Sequence, residues 1–306
     1  SPPQFQWYVA GGEDIPESLP RKEKIMIRML ALDLDETTLR SDGTISLYTM
    51  QTLQRAAAQG VILVAASGRP LRSLPEHLQA CGVRYAVVSN GAAVYELEGE
   101  QLLRQLFLPA DAVTALFQLV QEEQDRQVLV EAGLHGQMYA PADYVADPIS
   151  FRYNAAVAAY VRRTRKPVED MARFLQMHVQ EIDCMDIICP NGTRKAQMAQ
   201  KVSNAGLPVY MTSSVPQLVE IAHADAGKAN GIRFLAKRCG ISLEQVMACG
   251  NADNDAEMLR DAGMGVAVAN AMESCLAAAD DITDSNDEDG VAKAVERFVL
   301  SEEKYF

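Results

Sequence analysis

Two aspartates close behind a short apolar run constrain the fold of this chain most. The run Met29–Leu34 predicts a short buried strand, and Asp33 and Asp35 lie at its C-terminal end. Alternate side chains of an extended strand point the same way, so the two carboxylates would lie together. Such a pair is costly unless a cation, such as magnesium, or protons offset the charge. Open α/β sheets bind ligands at this end of their strands. An Asp-rich turn or a helix cap is the alternative.

Short apolar strands alternate with helices in two separated parts of the chain. The first part predicts a helix, Leu47–Gln59, and three strands: Met29–Leu34, Val61–Ala66 and Ala86–Ser89. The second part predicts two helices and two strands: Lys228–Arg238, Val246–Cys249, Asp255–Ala262 and Gly265–Val268. Alternation of this kind predicts an α/β fold with a doubly wound, Rossmann-like parallel sheet.

The intervening residues have a different pattern, which predicts an inserted α+β domain. Apolar residues recur at helical spacing after residue 112, and four separate apolar runs predict strands. We therefore predict a core formed by residues 25–89 and 223–306, an insertion at 90–222 and an N-terminal tail at 1–24. The basic run Arg162–Lys166 predicts either a solvated face or a patch for an anionic substrate or partner.

Composition limits the partners and the compartment. The chain has 306 residues and a net charge of −13, which argues against nucleic acid or an anionic membrane as a general partner. No apolar run reaches the length of a membrane span, and the N-terminal segment has no apolar core of a signal peptide. The six cysteines form no C-x-x-C pair, so we expect buried thiols and a cytoplasmic location. The oligomeric state is not indicated.

Four motifs in order resemble those of the haloacid dehalogenase superfamily. The stretch Asp33–Leu39 is similar to its D-x-D-x-T motif, and Gly60–Pro70 is similar to the second motif. Lys228 matches the third motif and Gly250–Asp255 the fourth. The spacing resembles the Cof-type sugar-phosphatase branch over Met29–Val299. In that branch the insertion is a cap domain over the active site.

The resemblance implies a role for each matching residue. Asp33 would be the nucleophile that forms an aspartyl-phosphate. Asp35 would be the acid that protonates the leaving oxygen and then the base that activates water, and its carbonyl would bind magnesium. Ser67 would donate a hydrogen bond to a phosphoryl oxygen, with Gly68 leaving room for the substrate. Lys228 would pair with Asp33 and the phosphoryl group.

The fourth motif departs from the family pattern. Asn251 stands where the family has an aspartate that binds magnesium directly. Its amide oxygen can still bind a hard cation, but one charge is lost, so metal affinity should fall. Asn254 would bond to the phosphate or to Lys228, Asp255 would hold metal-bound water, and Asp253 could partly compensate for the lost charge.

Two further residues have open roles. Arg69 predicts either a substrate contact or a salt bridge, and Asn90 predicts either a substrate contact or a plain turn. Taken together, the resemblance implies a magnesium-dependent phosphatase of small phosphorylated metabolites, with sugar phosphates as the expected substrates in the Cof-type branch. A sugar phosphomutase and a non-catalytic sugar-phosphate sensor are the alternatives.

Overall fold

Two sheets organise the part of the chain that the structure describes, residues 25–151 and 154–301 of a computed structural model. The predicted N-terminal tail lies outside the described residues. The strands are β1 Met29–Asp33, β2 Ile62–Ala66, β3 Val83–Val88, β4 Ala93–Glu96, β5 Gln101–Gln105, β6 Leu129–Leu134, β7 Gln137–Pro141, β8 Arg165–Val168, β9 Ile182–Ile188, β10 Val209–Thr212, β11 Leu218–His223, β12 Val246–Gly250, β13 Met264–Ala267 and β14 Asp281–Ile282. The helices are α1 Leu47–Ala58, α2 Ala110–Gln121, α3 Ala142–Ala146, α4 Ala155–Thr164, α5 Met171–Met177, α6 Gly192–Asn204, α7 Lys228–Arg238, α8 Ala256–Asp261, α9 Glu273–Ala278 and α10 Gly290–Val295.

The first sheet has the strand order β14-β13-β12-β1-β2-β3-β4-β5. Its strands from β14 to β3 run parallel, whereas β4 and β5 are antiparallel additions. Every residue of β1 is buried, because α1 and α10 cover one face of the sheet and α7 and α8 cover the other. Apolar burial on both faces explains why β1 is an unbroken apolar run up to Asp33. The predicted doubly wound parallel sheet is confirmed.

The second sheet has the strand order β10-β11-β9-β6-β7-β8 and is mostly antiparallel. One face packs on α2, α5 and α6 in a separate apolar core. The other face carries a row of acidic residues in register, Glu131 beside Asp186 beside Glu220. Part of this face also packs against Ala92, which precedes β4, and Ala226, which precedes α7. The carboxyl ends of the parallel strands in the first sheet therefore face the polar side of the second.

The antiparallel strands β4 and β5 lie beyond the predicted domain boundary, yet they belong to the first sheet. The sequence placed the boundary at Asn90, because the alternation of strands and helices stops there. The structure continues the first sheet through two short 3-10 turns without an α-helix, so the periodic pattern gave no signal for it. We propose that the core includes residues 25–105 and that the inserted unit runs from about residue 106 to His223, where β11 ends.

The described cysteines and helices add two findings. All six cysteines are free, and five of them are buried, as the sequence predicted. Within residues 25–151 and 154–301, each helix is too short or too polar to cross a membrane.

Gly91 is expected to be intolerant of a side chain. Its φ is +90°, and an added Cβ would lie 2.2 Å from the carbonyl oxygen of Gly227, directly before α7. Gly99 has a φ of +72° but open space around it, which makes Gly99→Ala a matched control. We expect Gly99→Ala to cost about 1 kcal/mol of unfolding free energy and Gly91→Ala about 2 kcal/mol more. Urea denaturation measures both; equal losses would show that the approach to Gly227 is unimportant.

Candidate active site

Asp33 ends β1 and its carboxylate is held from two sides. Lys228 Nζ donates to Asp33 Oδ1 at 2.7 Å, and Thr37 Oγ1 donates to Asp33 Oδ2 at 2.7 Å. The chain leaves the strand in a single wide turn, Leu34–Thr38, which returns Thr37 to the aspartate. Only 5% of Asp33 is exposed. The carboxylate is therefore fixed in one orientation at the carboxyl end of the central strand.

Lys228 is the cation at the centre of the site. It begins α7 and is almost fully buried, and its Nζ bonds Asp33 Oδ1 and Asp255 Oδ1, each at 2.7 Å. Burial alone would lower the pKa of Lys228, but the two carboxylates outweigh it and raise the pKa. The lysine is thus positively charged at neutral pH and lies between two carboxylates.

The electrostatic environment disfavours the ionised form of Asp33. Burial, and after it the nearby Asp255, raise the pKa of Asp33 to about 7 although Lys228 acts in the opposite direction. Two buried carboxylates share one buried ammonium group. Further positive charge next to Asp33 would therefore favour its ionised form, as the sequence led us to expect.

Asp255 is bonded by protein groups at both of its carboxylate oxygens. Its Oδ1 bonds Lys228, and its Oδ2 accepts hydrogen bonds from the backbone N–H groups of Asn251 and Ala252 at 3.0 and 3.1 Å. Both carboxylate oxygens are engaged by protein, so this side chain holds Lys228 and the Asn251 turn in place. That Asp255 also holds metal-bound water stays a prediction, because a carboxylate has about four acceptor sites and these three bonds do not use them all.

Asn251 and Asp33 offer the oxygens that suit a hard cation. Thr37 Oγ1 lies 3.1 Å from Asn251 Oδ1 and 2.7 Å from Asp33 Oδ2, yet a hydroxyl has only one proton to donate. Two acceptor oxygens therefore converge on one donor, and such oxygens are the ligands that Mg²⁺ prefers. Across the described residues no group of three His, Cys, Asp or Glu side chains is arranged for a metal. The donor set that fits is the carboxylate of Asp33 with the amide of Asn251.

Asp253 is exposed and accepts a hydrogen bond from Ser274 Oγ. Its partial compensation for the charge lost at Asn251 stays a prediction.

Asp35 is paired with Arg69. The guanidinium bonds both carboxylate oxygens, at 2.5 Å from Nη2 and 2.9 Å from Nε, and Nη1 donates to the carbonyl of Ser73 at 3.0 Å. Of the two roles left open for Arg69, the structure has the salt bridge. The Asp35 side chain is about half exposed, so it lies at the opening of the site rather than in its buried part.

Ser67 lies at the end of β2, the strand next to β1. It is buried, and its Oγ accepts a hydrogen bond from the backbone N–H of Arg69 at 3.0 Å. No acceptor for its own hydroxyl proton is found in the described part of the chain, which leaves that proton for a ligand oxygen. Gly68 is close to the second sheet: an added Cβ would lie 2.8 Å from Glu220 Oε1.

Asn90 and Asn254 form a bridge between the sheets. Asn254 Nδ2 donates to Asn90 Oδ1 at 3.0 Å, and Asn90 Nδ2 donates to Glu220 Oε1 at 3.0 Å. Asn254 makes no hydrogen bond to Lys228, and its buried Oδ1 has no partner among the described residues. Sequence reasoning gave no role to Glu220 or Thr37. The threonine position of the first motif was the signal for Thr37, whereas Glu220 lies in a run that predicted only a strand.

A cavity of about 360 Å³ opens beside the buried lysine. Lys228 and Asn254 line one side, and Tyr210, Thr212 and Ser213 at β10 line the other. One wall therefore comes from helical segments that flank the first sheet, and the other comes from the edge of the second sheet. The walls present hydroxyl, amide and charged groups.

Known proteins resemble this chain over most of its length. The profile of haloacid dehalogenase-like hydrolases matches residues 30–295. The putative phosphatase YxeH of Bacillus subtilis is 27% identical over 90% of this chain and 100% of its own length. The 5-amino-6-(5-phospho-D-ribitylamino)uracil phosphatase YitU of the same organism is 28% identical over 88% of this chain and 97% of its own.

Solved structures share the fold. A haloacid dehalogenase-like hydrolase from Bacteroides thetaiotaomicron is 26% identical, with a TM-score of 0.73 over 89% of this chain and 99% of its own. The family profile spans nearly all described residues, and it includes all four motifs from which the site is built. The predicted superfamily is confirmed: the chain belongs to the haloacid dehalogenase-like hydrolases.

Proposed function

We propose that this hydrolase is a magnesium-dependent phosphatase that cleaves small phosphorylated metabolites, such as sugar phosphates, through an aspartyl-phosphate on Asp33. The observation that carries the proposal is the buried Asp33 carboxylate, fixed between Lys228 and Thr37, with a second carboxylate, Asp35, at the opening of the site. The phosphatase names of the relatives YxeH and YitU support the class of reaction.

The residues divide the reaction into two steps. An Asp33 carboxylate oxygen forms a bond to phosphorus while the bond from phosphorus to the leaving oxygen breaks, and Asp35 donates a proton to that oxygen. In the second step Asp35 takes a proton from water, which attacks phosphorus and releases Asp33 with inorganic phosphate. Ser67 donates its free hydroxyl proton to a phosphoryl oxygen. Lys228 lowers the repulsion between Asp33 and the anionic phosphoryl group.

Asp33, Asn251 and the backbone carbonyl of Asp35 would hold the metal. Magnesium held by these residues would supply positive charge that offsets the negative charge of the phosphoryl group and of Asp33. The excess negative charge of the Asp33, Asp255 and Lys228 group is consistent with such a site.

The cavity supports a small polar substrate. Pockets for small ligands typically measure about 300–1,000 Å³, and the 360 Å³ beside Lys228 lies at the small end of this range. Its hydroxyl and amide lining suits a polar leaving group such as a sugar. We propose that the unit of the second sheet acts as a cap that selects this group, and that the protein, with its six free thiols, is cytoplasmic.

Turnover on a panel of phosphate monoesters tests the proposal. With Mg²⁺ we expect release of inorganic phosphate from several sugar phosphates, and loss of release with a chelator. Isomerised ester without phosphate release would instead indicate a phosphomutase. Binding of sugar phosphates without any turnover would indicate a sensor.

Asn251→Asp is expected to tighten magnesium binding. It restores the carboxylate that the family has at this position, and hard cations bind better as ligand charge increases. We expect the Mg²⁺ concentration for half-maximal activity to fall about tenfold, because charge count tunes affinity over orders of magnitude in oxygen-ligand sites. A Mg²⁺ titration of both proteins measures this, with Asp253→Asn as the control at the exposed neighbour. An unchanged midpoint would mean that Asn251 is not a ligand.

A further inference from the structure

A continuous set of contacts connects Asp35 to the second sheet. Arg69 bonds both oxygens of Asp35, and its guanidinium carbon lies 5.0 Å from the centre of the Tyr160 ring. Tyr160 belongs to α4, in the proposed cap, whereas Arg69 follows β2 in the core. The acid/base carboxylate of the proposed function is thus in indirect contact with the cap.

Asp35 depends on Arg69 for its orientation. Its side chain is about half exposed, and the residue lies in a non-helical turn, so solvent alone would leave the carboxylate several rotamers. The two-pronged bond to a planar guanidinium fixes both oxygens at once. Arg69 is itself mostly covered, and its third contact is the Ser73 carbonyl.

Tyr160 is anchored on its own side by a buried ion pair. The guanidinium carbon of Arg165 lies 5.2 Å from the Tyr160 ring centre, and Arg165 bonds both carboxylate oxygens of Glu131 at 2.6 and 3.0 Å. Glu131 is fully buried in β6. A solvated face is one of the two predictions for the basic run Arg162–Lys166. Arg165 does not lie on such a face. Exposed Arg163 also approaches the ring, at 5.9 Å, without a bond to the core.

We propose that Tyr160 is a positioning residue for Asp35, acting through Arg69. With α4 seated, the ring attracts the guanidinium and holds it against Asp35, so that the carboxyl group is aimed at the leaving oxygen. The inference rests on the proposed function and adds a cap residue to the proton-transfer step. Its signature is dependence on the leaving group: an alkyl ester needs the proton from Asp35, whereas a 4-nitrophenyl ester leaves readily without it.

The test compares kcat for 4-nitrophenyl phosphate and for an alkyl phosphate, with Asp35→Asn as the reference for a lost acid. We expect Tyr160→Leu to lower kcat for the alkyl ester about tenfold and to change the aryl rate less than twofold. Tyr160→Phe, which keeps the ring, should rescue the alkyl rate. Arg163→Gln removes a cation that contacts the same ring but leaves the contact between the ring and Arg69 in place. This variant should leave both rates unchanged. Thermal denaturation confirms that each variant is folded.

A second set of variants tests the route through Arg69. Arg69→Lys cannot make the two-pronged bond, so adding Tyr160→Leu to it should lower the alkyl rate no further. Additive losses, or equal losses on both esters in Tyr160→Leu, would overturn the inference while leaving the proposed function intact. Absence of wild-type turnover on both esters would overturn the proposed function, and this inference with it.

Discussion

Asp33→Asn is expected to abolish turnover and to stabilise the metal-free protein. The amide cannot form the aspartyl-phosphate, so phosphate release should fall by at least about 10⁴-fold, since removal of a nucleophile can cost about 10⁶-fold in kcat. The substitution also removes one of two buried carboxylates that share Lys228. Phosphate release at saturating Mg²⁺ measures the first effect. Near-normal release would rule out Asp33 as the nucleophile.

The stability gain of Asp33→Asn should depend on pH. The pKa of Asp33 in the folded protein is about 7, above its ordinary value of 3.8, so folding favours the protonated carboxyl group. The stability that this group contributes is complete below its ordinary pKa and is lost as pH rises through about 7. The advantage of the Asn variant should therefore be small near pH 4 and reach a few kcal/mol above pH 7, at about 1.4 kcal/mol per pKa unit. Urea unfolding in the presence of a chelator measures it. A constant difference across this range would contradict the burial of an ionisable Asp33.

Lys228→Met should be the most destabilising change at the site. Among the described residues it removes the one cation that is paired with Asp33 and Asp255, and it leaves two buried carboxylates facing each other. Loss of one partner of a buried ion pair costs about 3–5 kcal/mol. We expect a loss of that size at pH 8, a smaller loss at pH 5 where a carboxylate can take up a proton, and no measurable turnover. Chemical denaturation at both pH values gives the result.

Two variants separate charge from packing in this experiment. Lys237→Met changes an exposed lysine of the same helix and should alter stability by less than about 0.5 kcal/mol. Adding Asp33→Asn to Lys228→Met should restore part of the lost stability but none of the turnover. If the double variant is no more stable than Lys228→Met alone, the loss comes from packing and not from unpaired charge.

The parallel core could be predicted because its strands are buried on both faces. That burial requires short unbroken apolar runs such as β1 and β12, and these are visible in the sequence. Strands β4 and β5 were not predicted as part of this sheet. Strand β5 is largely exposed or half-buried and mixes polar with apolar residues, so its place depends on pairing with β4 and not on its own pattern.

The site shows the same division between local and long-range information. Asp33, Ser67 and Asp255 each lie at or just after the end of a strand of one sheet, so a local pattern was enough to expect them near one another. A salt bridge was one of the two roles predicted for Arg69, but its partner Asp35 was not predicted. The contact of Arg69 with Tyr160 was not predicted either, because it depends on how the second sheet packs over the first, and no periodicity within either segment encodes that orientation.

The position of β1 also has a consequence for biosynthesis. β1 pairs with β2 on one side and with β12 on the other, Met29 lying opposite both Ile62 and Val246. During synthesis on the ribosome, one edge of β1 stays unpaired until β12 has been made, because the whole inserted unit is translated first. At about 5–20 residues per second, translation of that unit takes roughly ten seconds. An open edge of an apolar strand is a template for pairing with other chains. Rapid folding of the insertion therefore matters to the core as well, because it keeps the intervening nascent chain from competing for that edge.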